Sequence, residues 1–553
     1  MNHAHPPVPA TDWWRHAVIY QIYPRSFADS DGDGMGDLRG ITARLDHLAD
    51  LGVDAVWLSP FYRSPQADAG YDVSDYRDVD PLFGTLADFD ALVARAHGLG
   101  LRVIVDIVPN HSSDEHPWFR EALAAGPGSP ERARYMFREG RGPGGDLPPN
   151  NWRSTFYGPA WTRVTEPDGT PGQWYLHLFD SKQPDFDWGN EEVRAEFDDI
   201  LRFWLARGVD GFRVDVARGL VKAEGLPDHP VEYQHSGHPA PDGSRTPLLD
   251  QPGVHEIYRR WRAVLDAFGP GRVLVAEAHL RPPSRLAAYV RPDEMHQAFN
   301  FEYLDCPYRA ADLRLVIQES LDAYGAVGAP ATWVLNNHDD VRHVSRFGLP
   351  TGTPTDDGIG PRDPQPDLAL GARRARAATG VMLALPGAAY LYQGEELGLP
   401  EHTGIPDEAR QDPIFARSGG RAAGRDGCRV PLPWRNGEPA YGFSPTGRTW
   451  LPQPADWGPY AVESQRGVEG SSYELYRAAL ALRTKHNLGA ETFHWVELPG
   501  AADEVIAFRV GDILVVATVG DAGVRLPAGE VVLATGPLTS DTLPPDTTVW
   551  LKV

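Results

Sequence analysis

A regular alternation of short apolar runs with helical patterns constrains this chain most. β-branched and aromatic residues dominate eight short runs, and stretches with helical spacing of apolar residues separate them. Such βα units build parallel sheets, and eight of them predict an α/β fold of the closed (β/α)8 TIM-barrel type. The alternative is a doubly wound open sheet, but no Gly-rich phosphate turn follows any of the runs. The predicted strands are Val18–Tyr23, Ala55–Ser59, Val103–Val108, Gly211–Val216, Val273–Ala278, Gln297–Phe301, Thr332–Asn336 and Ala388–Tyr392.

Two insertions and a late change of pattern divide the chain further. One insertion is rich in Gly, Pro and Trp, and it predicts a small domain because structureless loops of that length are rare. Near the end, Val505–Val510 and Ile513–Thr518 are short strands beside Gly/Asp turns, which indicates an antiparallel sheet. The expected division is barrel residues 1–111, inserted domain 112–182, barrel residues 183–486 with loops 400–470 over the mouth, and a C-terminal β-domain 487–553.

Charge and cysteine usage exclude several partners. The chain has 52 Lys and Arg against 76 Asp and Glu, a net charge of −24, which argues against nucleic acid and anionic membranes as partners. Cys306 and Cys428 form no disulfide framework and are expected to be free thiols. Residues 1–10 contain no apolar stretch typical of a signal peptide. We therefore expect a cytoplasmic protein, and the sequence does not indicate its oligomeric state.

Polar residues cluster where the predicted strands end. A single charged residue at a strand end is often only solvated, but four strand ends that all carry Asp, Glu, His or Arg are harder to explain in that way. In a barrel of this kind the working residues lie at the carboxyl ends of the strands. Convergent carboxylates in a concave mouth suit acid–base or nucleophilic chemistry on a glycosidic bond. The polar strand ends are Asp106–His111, Arg213–Asp215, Glu277 and Asn336–Asp339.

These residues carry a resemblance to a known family. From about Trp13 to Trp434 the chain resembles the α-amylase superfamily of retaining glycoside hydrolases, and within it the α-glucosidase and oligo-1,6-glucosidases. The matching segments occur in the family's order, each on its predicted element. They are Gln21–Phe27, Gly70–Tyr76, Asp106–His111, Gly211–Asp215, Glu277, Asn337–Asp339 and Tyr392–Gly398.

The resemblance implies three catalytic carboxylates. Asp215 would be the nucleophile, Glu277 the general acid and base, and Asp339 the carboxylate that binds sugar hydroxyls and favours the transition state. Retaining hydrolysis needs the first two carboxyl groups roughly 5–5.5 Å apart, which adjacent strands can supply. Arg213, two residues before Asp215, would keep the nucleophile ionised. Glu277 has to stay protonated near neutral pH, so we expect its site to raise its pKa.

The resemblance also implies residues that hold the terminal glucose. A core histidine is the alternative for His111, and a surface ion pair for Arg342. Asp106 is interpreted as structural support rather than as a catalytic group. The implied substrate-binding residues are Asp72, His111, Arg213, His338, Arg342 and Arg429, with Tyr71 stacked on the sugar ring.

An early acidic loop predicts a cation site. Alternating carboxylates and glycines present hard oxygen ligands, which suit Ca²⁺ better than Zn²⁺. The loop is not an EF-hand, because Gly40 occupies the position of the bidentate glutamate. A solvated acidic turn is the alternative. Family members with this loop hold a structural cation, usually Ca²⁺ and sometimes Mg²⁺. The implied ligands are Asp29, Asp31, Asp33, the carbonyl of Met35, and Asp37.

The expected activity is that of a retaining, exo-acting α-glucosidase on short α-glucosides, with transglucosylation as a side reaction. In the family, valine after the nucleophile is associated with α-1,6 linkages, and Val216 is such a residue. Departures at Ala217–Lys222, in the Pro/His-rich loop 227–252 and at Arg425–Trp434 favour maltose-type α-1,4 substrates slightly. The alternatives are an oligo-1,6-glucosidase, a trehalose synthase, a sucrose hydrolase or another transglucosylase.

Two alternatives belong to other classes. A non-catalytic ancillary relative would not need Asp215, Glu277 and Asp339, all of which are present. A metal-dependent barrel hydrolase would need ligand spacing such as His-x-His at the strand ends, which the sequence lacks. No organic cofactor is expected.

Overall fold

The computed structural model describes residues 11–230, 245–498, 503–521, 523–538 and 541–553. The first ten residues, for which no signal peptide is expected, and residues 231–244 of the Pro/His-rich loop lie outside the described residues. Within the described part, no helix combines the length and apolar character needed to cross a bilayer. Cys306 and Cys428 are buried free thiols, as predicted.

Eight parallel strands form the barrel, as the sequence predicts. The strands are β1 (Val18–Ile22), β2 (Ala55–Leu58), β3 (Arg102–Ile107), β4 (Gly211–Val214), β5 (Val273–Ala276), β6 (Gln297–Ala298), β7 (Thr332–Val334) and β8 (Ala388–Tyr392). Their hydrogen-bonded order is β6-β5-β4-β3-β2-β1-β8-β7. Seven of them stop one to three residues short of the predicted end, because the chain there leaves the ladder to build the mouth.

Helices separate the strands, and their ends follow from local sequence. Thr85 and Asp88 form a reciprocal capping box at the start of the helix Leu86–Gly98. Gly52 ends the helix before β2 in the left-handed conformation, with φ 96°. The helices of eight or more residues are Leu38–Leu51, Leu86–Gly98, Pro117–Ala125, Glu191–Ala206, Val254–Asp266, Ala310–Gly325, Leu368–Met382 and Ser472–Lys485. Shorter ones are Pro24–Phe27, Pro283–Ala287, Phe301–Leu304, His343–Arg346, Pro413–Arg417 and Val462–Gln465.

Side chains fill the barrel interior. Ile19, Trp57 and Val275 belong to one buried cluster drawn from several strands. The hydroxyl of Tyr390 on β8 donates to Oε1 of Gln297 on β6 at 2.6 Å, a bond that crosses the interior. The barrel is therefore a packed core, and its carboxyl end is where a ligand finds room.

The segment between β3 and β4 contains its own small sheet. The strands Phe137–Arg138, Pro171–Leu176 and Trp161–Thr165 pair antiparallel in that order. Arg417, in the loops 400–470, donates to the carbonyls of Phe156 and Tyr157, each at 2.7 Å. The inserted segment and these loops thus meet over the barrel mouth. A separate ribbon pairs Tyr62–Arg63 with Asp75–Val79.

The chain ends in an antiparallel sheet that packs on the barrel. Nε1 of Trp550 donates to the carbonyl of Gly380, and Oγ1 of Thr548 to that of Ala377, each at 2.8 Å. Both acceptors lie in the helix Leu368–Met382, so this sheet is anchored on the helix that precedes β8. Its strands, in order, are Phe493–Trp495, Val505–Val510, Ile513–Thr518, Thr548–Lys552 and Glu530–Ala534, and Val524–Arg525 pairs separately with Thr542–Leu543.

Candidate active site

A cavity of about 220 Å³ opens at the carboxyl ends of the barrel strands. Its walls come from the strand ends, the inserted segment and the loops 400–470. The volume is below the range typical of drug-sized ligands, so the cavity suits one small polar molecule. Of the predicted site residues, those lining it are Tyr71, His111, Arg213, Asp215, Glu277 and Asp339.

Asp215 and Glu277 leave neighbouring strands side by side. Val214 on β4 pairs with Ala276 on β5, and the backbone N–H of Glu277 donates to the carbonyl of Val214 at 3.0 Å. Each carboxylate follows directly after a paired residue. Neighbouring strands lie about 4.7–4.9 Å apart, close to the roughly 5–5.5 Å that separates the carboxyl groups of retaining glycosidases.

Arg213 joins three acidic groups. Its Nη1 lies 2.6 Å from Oδ1 of Asp215 and 3.0 Å from Oδ1 of Asp106, and its Nη2 lies 3.7 Å from Oε2 of Glu277. Burial raises the pKa of Asp215 well above its usual range; the guanidinium opposes this rise, and Glu277 and Asp106 add to it. One cation thus stabilises the ionised form of a carboxylate that burial disfavours.

A buried hydrogen-bond chain supports Asp106 from behind. Nε2 of Gln21 lies 2.7 Å from Nδ1 of His338, and Nε2 of His338 lies 2.6 Å from the hydroxyl of Tyr71, which donates to Oδ2 of Asp106 at 3.1 Å. Burial lowers the pKa of His338 to about 3, so the ring is neutral. Because Nδ1 accepts from the amide, Nε2 carries the hydrogen and donates to Tyr71. This chain fits the structural role expected for Asp106.

Asp339 faces the cavity with two arginines behind it. Nη2 of Arg429 lies 2.7 Å from its Oδ1, and Nη1 of Arg425 lies 3.2 Å from the same oxygen. Burial raises the pKa of Asp339, but His338, Arg425 and Arg429 outweigh burial and hold the pKa well below its usual range. Asp339 therefore stays ionised and can accept hydrogen bonds from a ligand.

Arg425 closes one end of the cavity. Its Nη2 lies 2.8 Å from Oδ1 of Asp68, its Nε lies 2.7 Å from Oδ2 of Asp412, and its guanidinium stacks over the ring of Phe156 at 4.9 Å. Asp68 and Asp412 are buried, so both sides of this network are sheltered from water. The network and the ring form a wall on the Asp339 side of the cavity.

Four predicted substrate-binding residues, Asp72, His338, Arg342 and Arg429, are not among the residues that line the cavity. His338 and Arg429 instead contact Tyr71 and Asp339, which do line it. Asp72 is fully buried, and its carboxylate accepts hydrogen bonds from the hydroxyl of Ser64 and the backbone N–H groups of Ala67 and Asp68, which shape the loop. Arg342 donates to the carbonyls of Gln393 and Cys428 beneath the Arg425–Arg429 segment. The side chains of Asp72 and Arg342 thus hold loops in place. Asp68 lines the cavity where Asp72 was expected to do so.

His111 lies in the cavity wall next to the inserted segment. Its Nε2 is 3.1 Å from Nε2 of Gln183, which also donates to Oδ2 of Asp68. Burial lowers the pKa of His111 to about 4, so the ring is neutral. The histidine is both a lining residue and a partnered core residue, so the two interpretations of it are compatible.

The cavity wall also contains a strained residue. Val216 has φ 45°, a left-handed conformation that is rare for a β-branched side chain. Its backbone N–H donates to Oε2 of Glu277 at 2.6 Å. Beyond it, the ring of His279 stacks on Phe301 with centroids 5.0 Å apart. Neither ring is among the predicted site residues, and the one signal in the sequence for His279 is its position two residues after Glu277.

The early acidic loop brings carboxylates together. Ligand oxygens of Asp29, Asp31 and Asp37 lie within 4.8 Å of one another. Asp33 accepts the backbone N–H of Met35 at 2.7 Å, and burial raises its pKa. Oxygen donors of this kind fit a hard cation such as Ca²⁺ or Mg²⁺. The loop lies outside the lining of the catalytic cavity.

Comparison with known proteins places the chain in a family. Residues 21–491 match the model of the α-amylase catalytic domain. The chain is 41% identical to a probable alpha-glucosidase of Rhizobium meliloti (strain 1021) over 86% of its length and 83% of the relative. It is 37% identical to an oligo-1,6-glucosidase of Parageobacillus thermoglucosidasius, over 86% of this chain and 84% of that relative. A crystal structure of an alpha-glucosyl transfer enzyme, 37% identical in sequence, superposes with a TM-score of 0.83. The match covers 98% of this chain and 99% of the enzyme's chain. The chain belongs to the α-amylase family of glycoside hydrolases.

Proposed function

We propose that the chain is a retaining, exo-acting α-glucosidase that releases terminal glucose from the non-reducing end of short α-glucosides, with α-1,4-linked maltose-type substrates preferred. The observation that carries this proposal is the placement of Asp215 and Glu277 in register on neighbouring strands, in a cavity closed at one end by Arg425. The relatives described above as glucosidases support the substrate class.

The reaction would proceed by two displacements. A carboxylate oxygen of Asp215 attacks the anomeric carbon while Glu277 protonates the departing glycosidic oxygen, and a covalent β-glucosyl ester forms. Glu277 then takes a proton from water, which displaces Asp215 and leaves α-glucose. Oε2 of Glu277 accepts a hydrogen bond from the backbone N–H of Val216, so Oε1 is the oxygen that transfers the proton.

Exo action follows from the closed end of the cavity. The leaving group has to lie on the side of Glu277, so the terminal glucose points toward Asp339. There the network of Arg425 with Asp68 and Asp412 would block the position of a further sugar. The charged oxygens of Asp339 and Asp68 are the acceptors for its hydroxyl groups.

The acidic loop would hold a structural cation. Asp29, Asp31 and Asp37, with Asp33 and the carbonyl of Met35, offer the oxygen ligands that Ca²⁺ prefers, and Mg²⁺ is the second candidate. A bound cation would neutralise carboxylates that otherwise repel one another and would fix the first βα loop. It takes no part in bond cleavage.

A second candidate is an oligo-1,6-glucosidase. Val216 is the observation that favours it, because valine at this position accompanies α-1,6 preference in the family and its side chain borders the cavity. Transfer to a sugar hydroxyl in place of water is a natural side reaction of the covalent intermediate. An alpha-glucosyl transfer enzyme among the structural relatives supports that side reaction.

Two assays test the proposal. Proton NMR of the glucose first released from p-nitrophenyl α-glucoside, whose leaving group is not a sugar, should show the α-anomer, and β-glucose as the first product would refute retention. Initial rates on equal concentrations of maltose and isomaltose should favour maltose. A faster rate on isomaltose would establish the second candidate, and activity on neither would direct the search to sucrose and trehalose.

A further inference from the structure

The turn of residues 216–219, directly after Asp215, holds Glu277 by two hydrogen bonds. The backbone N–H of Val216 donates to Oε2 of Glu277 at 2.6 Å, and the backbone N–H of Ala217 donates to the main-chain carbonyl of Glu277 at 2.9 Å. The side chain and the main chain of Glu277 are thus attached to the same turn. Any shift of this turn therefore moves the carboxyl group.

The turn keeps a conformation that costs free energy. Val216 has φ 45°, and a β-branched residue in the left-handed region persists only where the surrounding contacts hold it there. The backbone N–H of Gly219 donates to the carbonyl of Val216 at 2.7 Å and closes the turn. A Cβ at Gly219 would lie 2.6 Å from Cγ1 of Val216, so the closed turn has no space for a side chain there. The geometry around Glu277 thus depends on whatever supports this turn from outside.

Tyr258 supports the turn from the helix Val254–Asp266. Its hydroxyl donates to the main-chain carbonyl of Ala217. The ring is buried and packs against Tyr289 with the centroids 5.8 Å apart, so the hydroxyl is held in place. Tyr258 is not among the residues that line the catalytic cavity. Its effect on Glu277 therefore has to pass through Ala217.

Lys222 fixes the other end of the turn. Its Nζ donates to the carbonyl of Gly219 and to Oδ1 of Asn110, the latter at 2.8 Å, and it lies 2.8 Å from Oδ2 of Asp185. Both charged side chains are buried, and removal of one partner of such a pair leaves the other charge buried and uncompensated. Lys222 cannot be removed without a general loss of stability. The hydroxyl of Tyr258 is the support that a small substitution can remove.

We propose that Tyr258 is a positioning residue for the proton donor, acting on Glu277 through the turn of residues 216–219. This inference rests on the proposed function, in which Glu277 protonates the departing glycosidic oxygen. Without the hydroxyl, the buried carbonyl of Ala217 loses its donor and the turn relaxes. The N–H groups of Val216 and Ala217 then no longer hold Glu277 where the proton is needed, and general acid catalysis weakens because it depends on that position.

Two aryl glucosides test this proposal in the full chain with Tyr258→Phe. Phenoxide is a poor leaving group and needs the proton, whereas p-nitrophenoxide departs with little protonation; both have an aryl ring, so altered aglycone contacts affect them alike. The ratio kcat/KM reports the steps up to the covalent ester, so the second displacement does not enter. We expect kcat/KM to fall at least tenfold on phenyl α-glucoside and at most about threefold on p-nitrophenyl α-glucoside. The matched control is Tyr324→Phe, because Tyr324 is buried and its hydroxyl has no hydrogen-bond partner among the described residues.

The same substrates separate this inference from the function on which it rests. Glu277→Gln should lose phenyl α-glucoside selectively, and equal loss on both substrates would refute the acid itself. If Glu277→Gln is selective but Tyr258→Phe matches the wild type or loses both substrates equally, the role of Tyr258 is overturned and the proposed function stands. A similar selective loss in Tyr324→Phe also overturns that role.

A second variant keeps the test decisive if Tyr258→Phe folds poorly. Gly219→Ala displaces the turn by the contact of its Cβ with Val216 and leaves the hydroxyl of Tyr258 in place. It should show the same selective loss on phenyl α-glucoside. Equal effects on both substrates, or none, would show that the turn does not position Glu277, and the proposal is then overturned.

Discussion

Nη1 of Arg213 lies 2.6 Å from Oδ1 of Asp215, two residues further along the same strand end. Alternate residues of a strand point to the same side, so this contact is built into β4 and its extension. The proposed nucleophile therefore has a cation fixed beside it before any substrate binds.

Replacement of Asp215 by Asn should abolish hydrolysis and preserve the fold. The amide cannot attack the anomeric carbon, yet it can still accept a hydrogen bond from Arg213. We expect kcat on maltose to fall at least about a thousandfold, with an unchanged circular dichroism spectrum. Wild-type turnover by this variant would refute the assignment of the nucleophile.

Replacement of Glu277 by Gln should separate substrates by leaving group. Glucosyl fluoride needs no proton on departure, so it should still form the covalent adduct, which intact mass spectrometry detects as an added glucosyl mass on the chain. Maltose needs the proton and should not react. Equal loss on both substrates would mean that Glu277 is not the acid.

Removal of Arg425 should change the product pattern. Arg425→Ala takes away the wall formed with Asp68 and Asp412 and one partner of Asp339, so we expect slower hydrolysis of maltose and cleavage within longer chains. Chromatography of early products from maltoheptaose should then show sugars of two to five units beside the glucose and maltohexaose that cleavage at the chain end gives. Arg435→Ala removes an exposed arginine and serves as the control. If glucose and maltohexaose are still the only early products, the wall does not determine exo action.

The acid limb of the pH profile should lie above the range of an ordinary aspartate. Asp215 acts only when ionised, and its pKa is raised, so kcat/KM on maltose falls as the pH drops through that raised value. His111 and His338, with pKa values of about 4 and about 3, stay neutral above pH 5 and add no limb there. Arg213→Gln should move the limb to still higher pH, because the cation that opposes the rise is gone. An unchanged limb in this variant would contradict that role.

Removal of the cation should cost stability and leave the chemistry intact. With EDTA we expect a lower Tm, restored by Ca²⁺; a ligand at a hundred times its Kd contributes about 2.7 kcal/mol to stability. Asp31→Asn should abolish the response to Ca²⁺, whereas Asp46→Asn, an exposed position outside the loop, should retain it. Lost turnover in EDTA at an unchanged Tm would instead indicate a catalytic metal.

The sequence predicts the barrel better than it predicts the cavity wall. All eight strands occur where apolar runs place them, because burial on both faces leaves a strong pattern. Asp72 and Asp68 lie four residues apart in one turn, and only the folded backbone determines which carboxylate accepts the turn's N–H groups and which faces the cavity. In the same way, Arg342 and Arg425 are equally plausible as cavity residues from the sequence. Which of them reaches the cavity depends on contacts between distant loops.

The ion pair between Asp68 and Arg425 joins positions 357 residues apart. During synthesis, a nascent chain that has reached residue 400 already carries Asp215, Glu277 and Asp339 but neither Arg425 nor Arg429. Such an intermediate has the reactive groups without the wall that orients a terminal glucose. We therefore expect the ability to discriminate chain ends to arise late in biogenesis, after the catalytic carboxylates are already in place.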